Sequence, residues 1–214
     1  MYRMKVLLVN GSPHEKGCTY TALIEVAKTL NEEGIDTEIF WIDTKSLAGC
    51  IACKNCAKTG CCVFDDRVND FIDIAKDADG FIFGSPVHYA AASGAITSFM
   101  DRVFYTDLQS DKRSFYLKPA DAVVSARRAE TAVTFDQVNK YFTISEMLII
   151  ASRYWNMVHG AKPENVEKDL EGFQTMRILA RNMAWFLKCK EAGMKAGVQF
   201  PEKEENIYTN FIRD

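Results

Sequence analysis

An α/β fold in three layers, with a doubly wound, five-stranded parallel sheet between two layers of helices, is predicted by two features of this sequence. Strand-length apolar runs alternate with helix-length amphipathic runs along the chain, which is the pattern of repeated strand–helix–strand units. Three of the apolar runs also end in loops of small and polar residues, at the strand ends where open parallel sheets bind ligands. A length of 214 residues suits one such domain. It is expected over residues 1–195, with 196–214 as a C-terminal arm that could lie at an oligomer interface. Hydrophobic residues make up 48% and charged residues 26% of the chain, enough for a core and too apolar for disorder.

Lys5 to Asn10 (KVLLVN) is a continuous apolar strand that stops at Gly11, Ser12 and Pro13. Leu23, Val26, Ala27 and Leu30 follow at the spacing of one buried helix face, and Gly34 ends that helix. Thr37 to Ile42 gives the second strand, and a cysteine-rich connection runs to Asp65. Asp66 is placed to cap a helix that turns Val68, Phe71, Ile72 and Ala75 inward. Gly80 to Gly84 is a short central strand leading into Ser85–Tyr89, and the helix after it buries Ile96, Phe99, Met100 and Val103. Asp121 to Ser125 is the fourth strand, 135–147 is helical, and Leu148 to Ser152 is the fifth strand. A long helix then presents Phe173, Met176, Ala180, Met183 and Leu187 on one face. Beyond Gly193 the chain turns polar, and Pro201 to Asp214 is expected to be extended.

Several classes of function are disfavoured by composition. A net charge of -3 offers no general attraction to nucleic acid. No apolar stretch approaches the roughly 20 residues that span a bilayer. Met1 to Asn10 lacks the basic start and long apolar core of a secretory signal, so a cytoplasmic location is expected. Five of the seven cysteines fall between Cys50 and Cys62. That is too local for a disulfide framework in a chain this long, and in a reducing compartment it suggests metal or redox chemistry. His14, His88 and His159 are too scattered for a metal site, and no Ser/His/Asp arrangement suggests a hydrolase.

The loop after the first strand, Asn10 to Tyr20, combines Gly11 and Gly17 with the hydroxyls of Ser12 and Thr19 and opens a helix. Free N–H groups at a helix start suit an anion such as a terminal phosphate. His14, Cys18 and Tyr20 complete this candidate set. The loop lacks the Gly-Lys-Ser/Thr ending of a Walker loop and is not GxGxxG, so a mononucleotide fits better than NTP hydrolysis or a dinucleotide. In the second loop Pro86, Val87, His88 and Tyr89 offer a rigid turn and an aromatic face to a planar ring. The third, Ser125-Ala126-Arg127-Arg128, brings guanidinium groups toward phosphate or an electron-rich ring edge.

GSPHEKGCTYTAL, FGSPVHYAAASGAITSFMDR and SARRA, in this order and over roughly residues 4 to 190, resemble the NADPH-dependent FMN reductase branch of the flavodoxin-like family. The resemblance implies FMN as cofactor and NAD(P)H as the source of electrons. The phosphate would sit on Ser12, Thr19 and their neighbours. The ring would lie against Pro86, Val87, His88 and Tyr89, with its far edge at Ser125 to Arg128, where Arg127 or Arg128 could tune the reduced flavin. It also implies a homodimer or homotetramer and a small-molecule acceptor, such as a quinone or a flavin, or a ferredoxin-like protein. No catalytic acid or base is needed, since the cofactor carries the chemistry.

Cys50-x2-Cys53-x2-Cys56-x5-Cys62 is similar to the compact motif of the iron–sulfur flavoproteins in the same family, which implies a [4Fe-4S] centre beside FMN. Cys61 competes with Cys62 for the fourth position, and cysteines that hold no metal are the alternative. Cys18 and Cys189 otherwise suit small packing roles. Three functions therefore stand in line: an NAD(P)H-dependent FMN reductase, an iron–sulfur electron carrier, and an FMN-binding regulatory module without turnover.

Overall fold

Alternation along the first strand divides the molecule into two cores. In β1 (Lys5–Asn10), Leu7 and Val9 face one side of the sheet while Val6 and Leu8 face the other, because successive strand side chains point to opposite faces. The computed structural model describes residues 3–209, 211 and 212. Calls on the termini that include residues 1, 2, 210, 213 and 214 lie outside the described residues.

The elements follow in the expected alternation. After β1 come α1 (Cys18–Glu32), β2 (Asp36–Trp41), the short α2 (Asn55–Thr59) and α3 (Arg67–Ala75). Next are β3 (Gly80–His88), β4 (Ala91–Ala92), α4 (Gly94–Ser110), β5 (Pro119–Ala126) and α5 (Thr131–Ile144). The chain then forms β6 (Leu148–Ile149), β7 (Met157–His159), α6 (Pro163–Val166) and α7 (Leu170–Lys195). The main sheet runs β2-β1-β3-β5-β6, all parallel. The helices of one face, α3, α4 and α5, contribute Phe71, Phe99 and Phe142 to its core. Those of the other, α1 and α7, contribute Leu23, Leu30, Met176 and Met183. Strand order reverses between β1 and β3, so the loops leaving these two strands flank the switch point where such sheets bind ligands.

Capping follows the expected chemistry. Asp66 Oδ1 accepts from the Val68 N–H at 3.1 Å and starts α3. Gly34, at φ 83°, takes the left-handed conformation that closes α1. The fifth strand departs from expectation. Instead of Leu148 to Ser152, two short pieces fill its place, β6 on Pro119 and Ala120, and β7 on Val124 to Ala126. Between them Asn156 enters the sheet. Its Nδ2 donates to Asp121 Oδ2 at 2.5 Å and to Ala122 O at 3.1 Å, and its carbonyl accepts from Val124 N. A polar side chain inside the sheet outweighed the apolar run that marked 148–152.

Asp121 is itself buried, and burial raises its carboxyl to about 7 despite donors from Ala122 N–H and Asn156. The folded state therefore holds a proton that the unfolded chain releases near pH 4. That stabilisation is complete at low pH and is lost as pH climbs from about 4 through about 7, with an upper size of about 4 kcal/mol. Asp121→Asn is expected to flatten this slope, as measured by urea unfolding of both proteins between pH 4 and 8. Parallel slopes in the two proteins would refute it.

Candidate functional site

The loop between β1 and α1 is drawn tight by its own hydrogen bonds. The buried Asn10 side chain donates to Glu15 O at 2.9 Å and accepts from Ser12 N at 3.1 Å. Ser12 Oγ accepts from His14 N at 3.1 Å, and Gly17 N donates to His14 O at 3.2 Å. Trp41 Nε1 donates to Ser12 O from the next strand. Gly17 then caps α1 with no side-chain hydrogen bond, which leaves the helix start to offer its N–H donors to an anion.

Two neighbouring loops close the site. Thr19 Oγ1 and Ser125 Oγ lie 2.8 Å apart, joining the start of α1 to the end of β5. Ser93, the N-cap of α4, donates from Oγ to Gly11 O at 3.1 Å and from N to Ser85 Oγ at 3.3 Å. The cavity among these loops has an empty volume of about 620 Å³. It holds Ser12 and His14 from the first loop with Cys18 and Thr19 from the start of α1, Pro86, Val87 and His88 from the end of β3, which runs beyond the expected Gly84, and Ser125, Ala126 and Arg127 from the end of β5. The three loops singled out in the sequence thus meet at one place.

Three candidates do not line it. Tyr20 and Arg128 lie outside. Tyr89 is fully exposed, in the left-handed region at φ 48° and followed by Ala90 at φ 64°, so its ring points to solvent instead of into the cavity. Gly160 and Ala161 were missed in the sequence yet line the cavity, carried there by β7. Gly160 N donates to Ala126 O at 3.0 Å, and its carbonyl accepts from Cys18 Sγ at 3.6 Å. The three apolar-flanked residues Met157-Val158-His159 before Gly160 were the available signal, too short to register as a strand. Burial, the largest cause, raises the Cys18 thiol above its ordinary pKa. Cys189, far along α7, is exposed, contrary to the packing role expected of it.

The donor set fits a mononucleotide phosphate. Two hydroxyls, an open helix start and glycines occupy one end, and a proline-rigidified strand end forms the opposite wall. Among the described residues, no lysine or arginine of the first loop lines the cavity, so helix N–H groups and hydroxyls would carry the anion there.

A second cavity lies on the face covered by α4. Its lining includes Cys50, Cys53, Cys56 and Cys62, together with Arg102, and does not include Cys61. Left-handed Ala52, Lys54 and Gly60 turn the chain around it. Among the described residues, no three His, Cys, Asp or Glu side chains form a group that could hold a single metal ion. Four thiols around one small cavity of about 310 Å³ are a donor set of the kind a thiolate-bound iron–sulfur cage uses.

Two charged side chains line this cavity, the exposed Lys54 and Arg102, and only 1% of Arg102 is exposed. Burial opposes its charge, but its hydrogen bonds to Asp66 and Cys62 outweigh that and raise its pKa. Among the described residues no helix is long and apolar enough to cross a membrane.

Residues 4–162 match the family described as NADPH-dependent FMN reductase. An iron–sulfur flavoprotein of Methanocaldococcus jannaschii is 30% identical over 190 residues, spanning 86% of this chain and 98% of that one. An iron–sulfur flavoprotein of Methanosarcina thermophila is 26% identical over 187 residues, with 84% and 93% covered. Among solved structures, RosB with bound 8-demethyl-8-formylriboflavin-5'-phosphate has a TM-score of 0.67 at 14% identity, covering 98% of this chain and 94% of that one. A WrbA-like flavodoxin of Agrobacterium tumefaciens has a TM-score of 0.60 at 14% identity, covering 88% and 99%. At those identities the structural likenesses bear on the fold alone, which is flavodoxin-like.

Proposed function

Since the chain belongs to the NADPH-dependent FMN reductase family, whose oxidoreductase class it shares, we propose that it takes electrons from NAD(P)H through bound FMN and delivers them by way of a [4Fe-4S] cluster to a small-molecule or ferredoxin-like acceptor. The observation that carries the cluster half of this reading is that Cys50, Cys53, Cys56 and Cys62, the four thiols singled out by the resemblance to the iron–sulfur flavoprotein motif, line one cavity. FMN, when bound, supplies hydride and electron transfer, and a cluster supplies transfer of single electrons.

The chain's own residues do the holding. Ser12, Thr19 and the N–H groups at the start of α1 would take the phosphate, with Thr19 and Ser125 tying two walls together. Pro86, Val87 and His88 would flank the ring from the end of β3, and Arg127 would stand at its far edge. An arginine there favours added negative charge on the ring. The exposed position of Tyr89 leaves that ring free to meet a second molecule at the cavity mouth.

The same reading puts the protein in the cytoplasm as a homodimer or homotetramer. The arm's exposed Phe200, Ile207, Tyr208 and Phe211 supply apolar surface for contacts between copies.

Anaerobic purification with a visible spectrum and assays of iron and acid-labile sulfide tests the cofactors, and titration with NADPH and NADH tests the reaction. Flavin bands with roughly four irons and four sulfides per chain, bleached by at least one nucleotide, are expected. Bands that neither nucleotide bleaches would remove the reductase assignment, and absence of iron would remove the cluster.

A further inference from the structure

Arg102 makes more specific contacts than a structural arginine needs. Its Nε donates to Cys62 Sγ at 3.2 Å. Nη1 donates to Asp66 Oδ2 at 2.8 Å and to Ala48 O at 3.4 Å, and Nη2 donates to Asp66 Oδ1 at 2.9 Å and to Phe64 O at 3.4 Å. All five donors of the guanidinium are thus used, which no other side chain could do. The forked pair with Asp66 fixes the plane, and that plane aims Nε at one sulfur.

Cys61 and Cys62 are adjacent in sequence but not equivalent in structure. Asn69 from α3 holds Cys62 by both main-chain groups, accepting from its N–H at 2.9 Å and donating to its carbonyl at 3.0 Å. Cys61 is tied instead to the end of α2, through Thr59 and Asn55. Its side chain does not reach the cavity.

We propose that Arg102 is the positioning residue that makes Cys62, rather than Cys61, the fourth thiolate of the cysteine cavity, and that its fixed charge raises the reduction potential of the cluster held there. This rests on the cluster reading above. A hydrogen bond from a cation to a ligating sulfur withdraws electron density and favours the reduced state, and partners beyond the ligands orient the ligands themselves. Arg102 also lies on α4, whose N-cap Ser93 is bonded to the flavin loop at Gly11. The two lie nine positions apart, about 13 Å of axis. One rigid element therefore sets the place of both sites.

The test uses the anaerobically purified full chain, with iron and sulfide content, FMN content, circular dichroism, and the cluster midpoint from a redox titration followed by electron paramagnetic resonance. Arg102→Lys keeps a positive charge but offers three donors on a rotatable ammonium, too few to replace all five bonds and too loosely aimed to hold Asp66 and Cys62 together. Its midpoint is expected to shift negative. Iron retention should then depend on Cys61, so that Cys61→Ser lowers iron at least two-fold in the Arg102→Lys background and leaves it unchanged in the native one.

Asp66→Asn keeps an oxygen to cap α3 but breaks the fork that aims Nε at Cys62, so iron retention should depend on Cys61 in this background too. A dependence on Cys61 that appears in both backgrounds is not expected of a residue that merely packs, and the Asp66→Asn background decides the matter if Arg102→Lys fails to fold. A midpoint in Arg102→Lys equal to the native one, or iron indifferent to Cys61 in both backgrounds, would overturn the assignment. A native protein with FMN but no iron would refute the cluster reading before any variant is made, and the role of Arg102 would fall with it.

Discussion

Cys56→Ser is expected to cut cluster iron from roughly four atoms per chain to less than about one, while FMN content stays at the native level. Cys56 is the buried member of the four thiols and sits within α2, where its carbonyl accepts from Gly60 N at 2.8 Å to close the helix. A serine fits the same volume and keeps that backbone bond, so the local fold has no reason to change. What it removes is the thiolate, which a hydroxyl cannot replace as a ligand at neutral pH. Cys61→Ser serves as the control, since Cys61 stays outside the cavity, and it should retain full iron. Iron and sulfide assays on the two variants and the native protein read the difference directly. Equal iron in Cys56→Ser and Cys61→Ser would sink the four-thiol assignment.

The two sites were legible in the sequence to different depths, and the reasons are physical. Loops at the ends of β1, β3 and β5 could be named because parallel strands place their carboxyl ends on one edge, so residues far apart in sequence converge there. Thr19 and Ser125, separated by 106 positions, meet at 2.8 Å for that reason. Side-chain direction within a loop carries no such rule. Tyr89 shared its loop with Pro86 and Val87, but a left-handed turn at Tyr89 and Ala90 swings it outward.

Gly160 was hidden for another reason. β7 is three residues long and follows a polar insertion at Asn156, so hydrophobic periodicity had too little length to detect it. The choice between Cys61 and Cys62 was equally closed to spacing. It depends on Asn69 and Arg102, which lie 7 and 40 positions beyond Cys62.

Gly17→Ala is expected to weaken FMN binding about 10- to 100-fold while the apoprotein unfolds at nearly the native temperature. A Cβ at Gly17 would stand 2.8 Å from His14 Cβ and 3.4 Å from His14 O. Neither is the far end of a flexible side chain, so the loop itself must open. Gly17 has φ −90°, which alanine tolerates, so no backbone strain is added to the folded state. Opening the loop moves Ser12 Oγ and the start of α1 apart, and a displacement near 1 Å in a positioned donor set can cost about 100-fold.

Gly11→Ala makes the contrast. Its Cβ would meet Ile96 Cβ and Gly84 O at 2.8 Å, inside the packed wedge between β1, β3 and α4. Overpacking of that kind typically costs about 1–3 kcal/mol. Gly11→Ala should therefore lower the unfolding midpoint as well as the affinity, whereas Gly17→Ala lowers affinity alone. Titration of each apoprotein with FMN by flavin fluorescence, beside thermal unfolding followed by circular dichroism, separates the two effects. Native affinity in Gly17→Ala would mean that the phosphate is not held by this loop, and the flavin would have to be sought elsewhere along the strand ends.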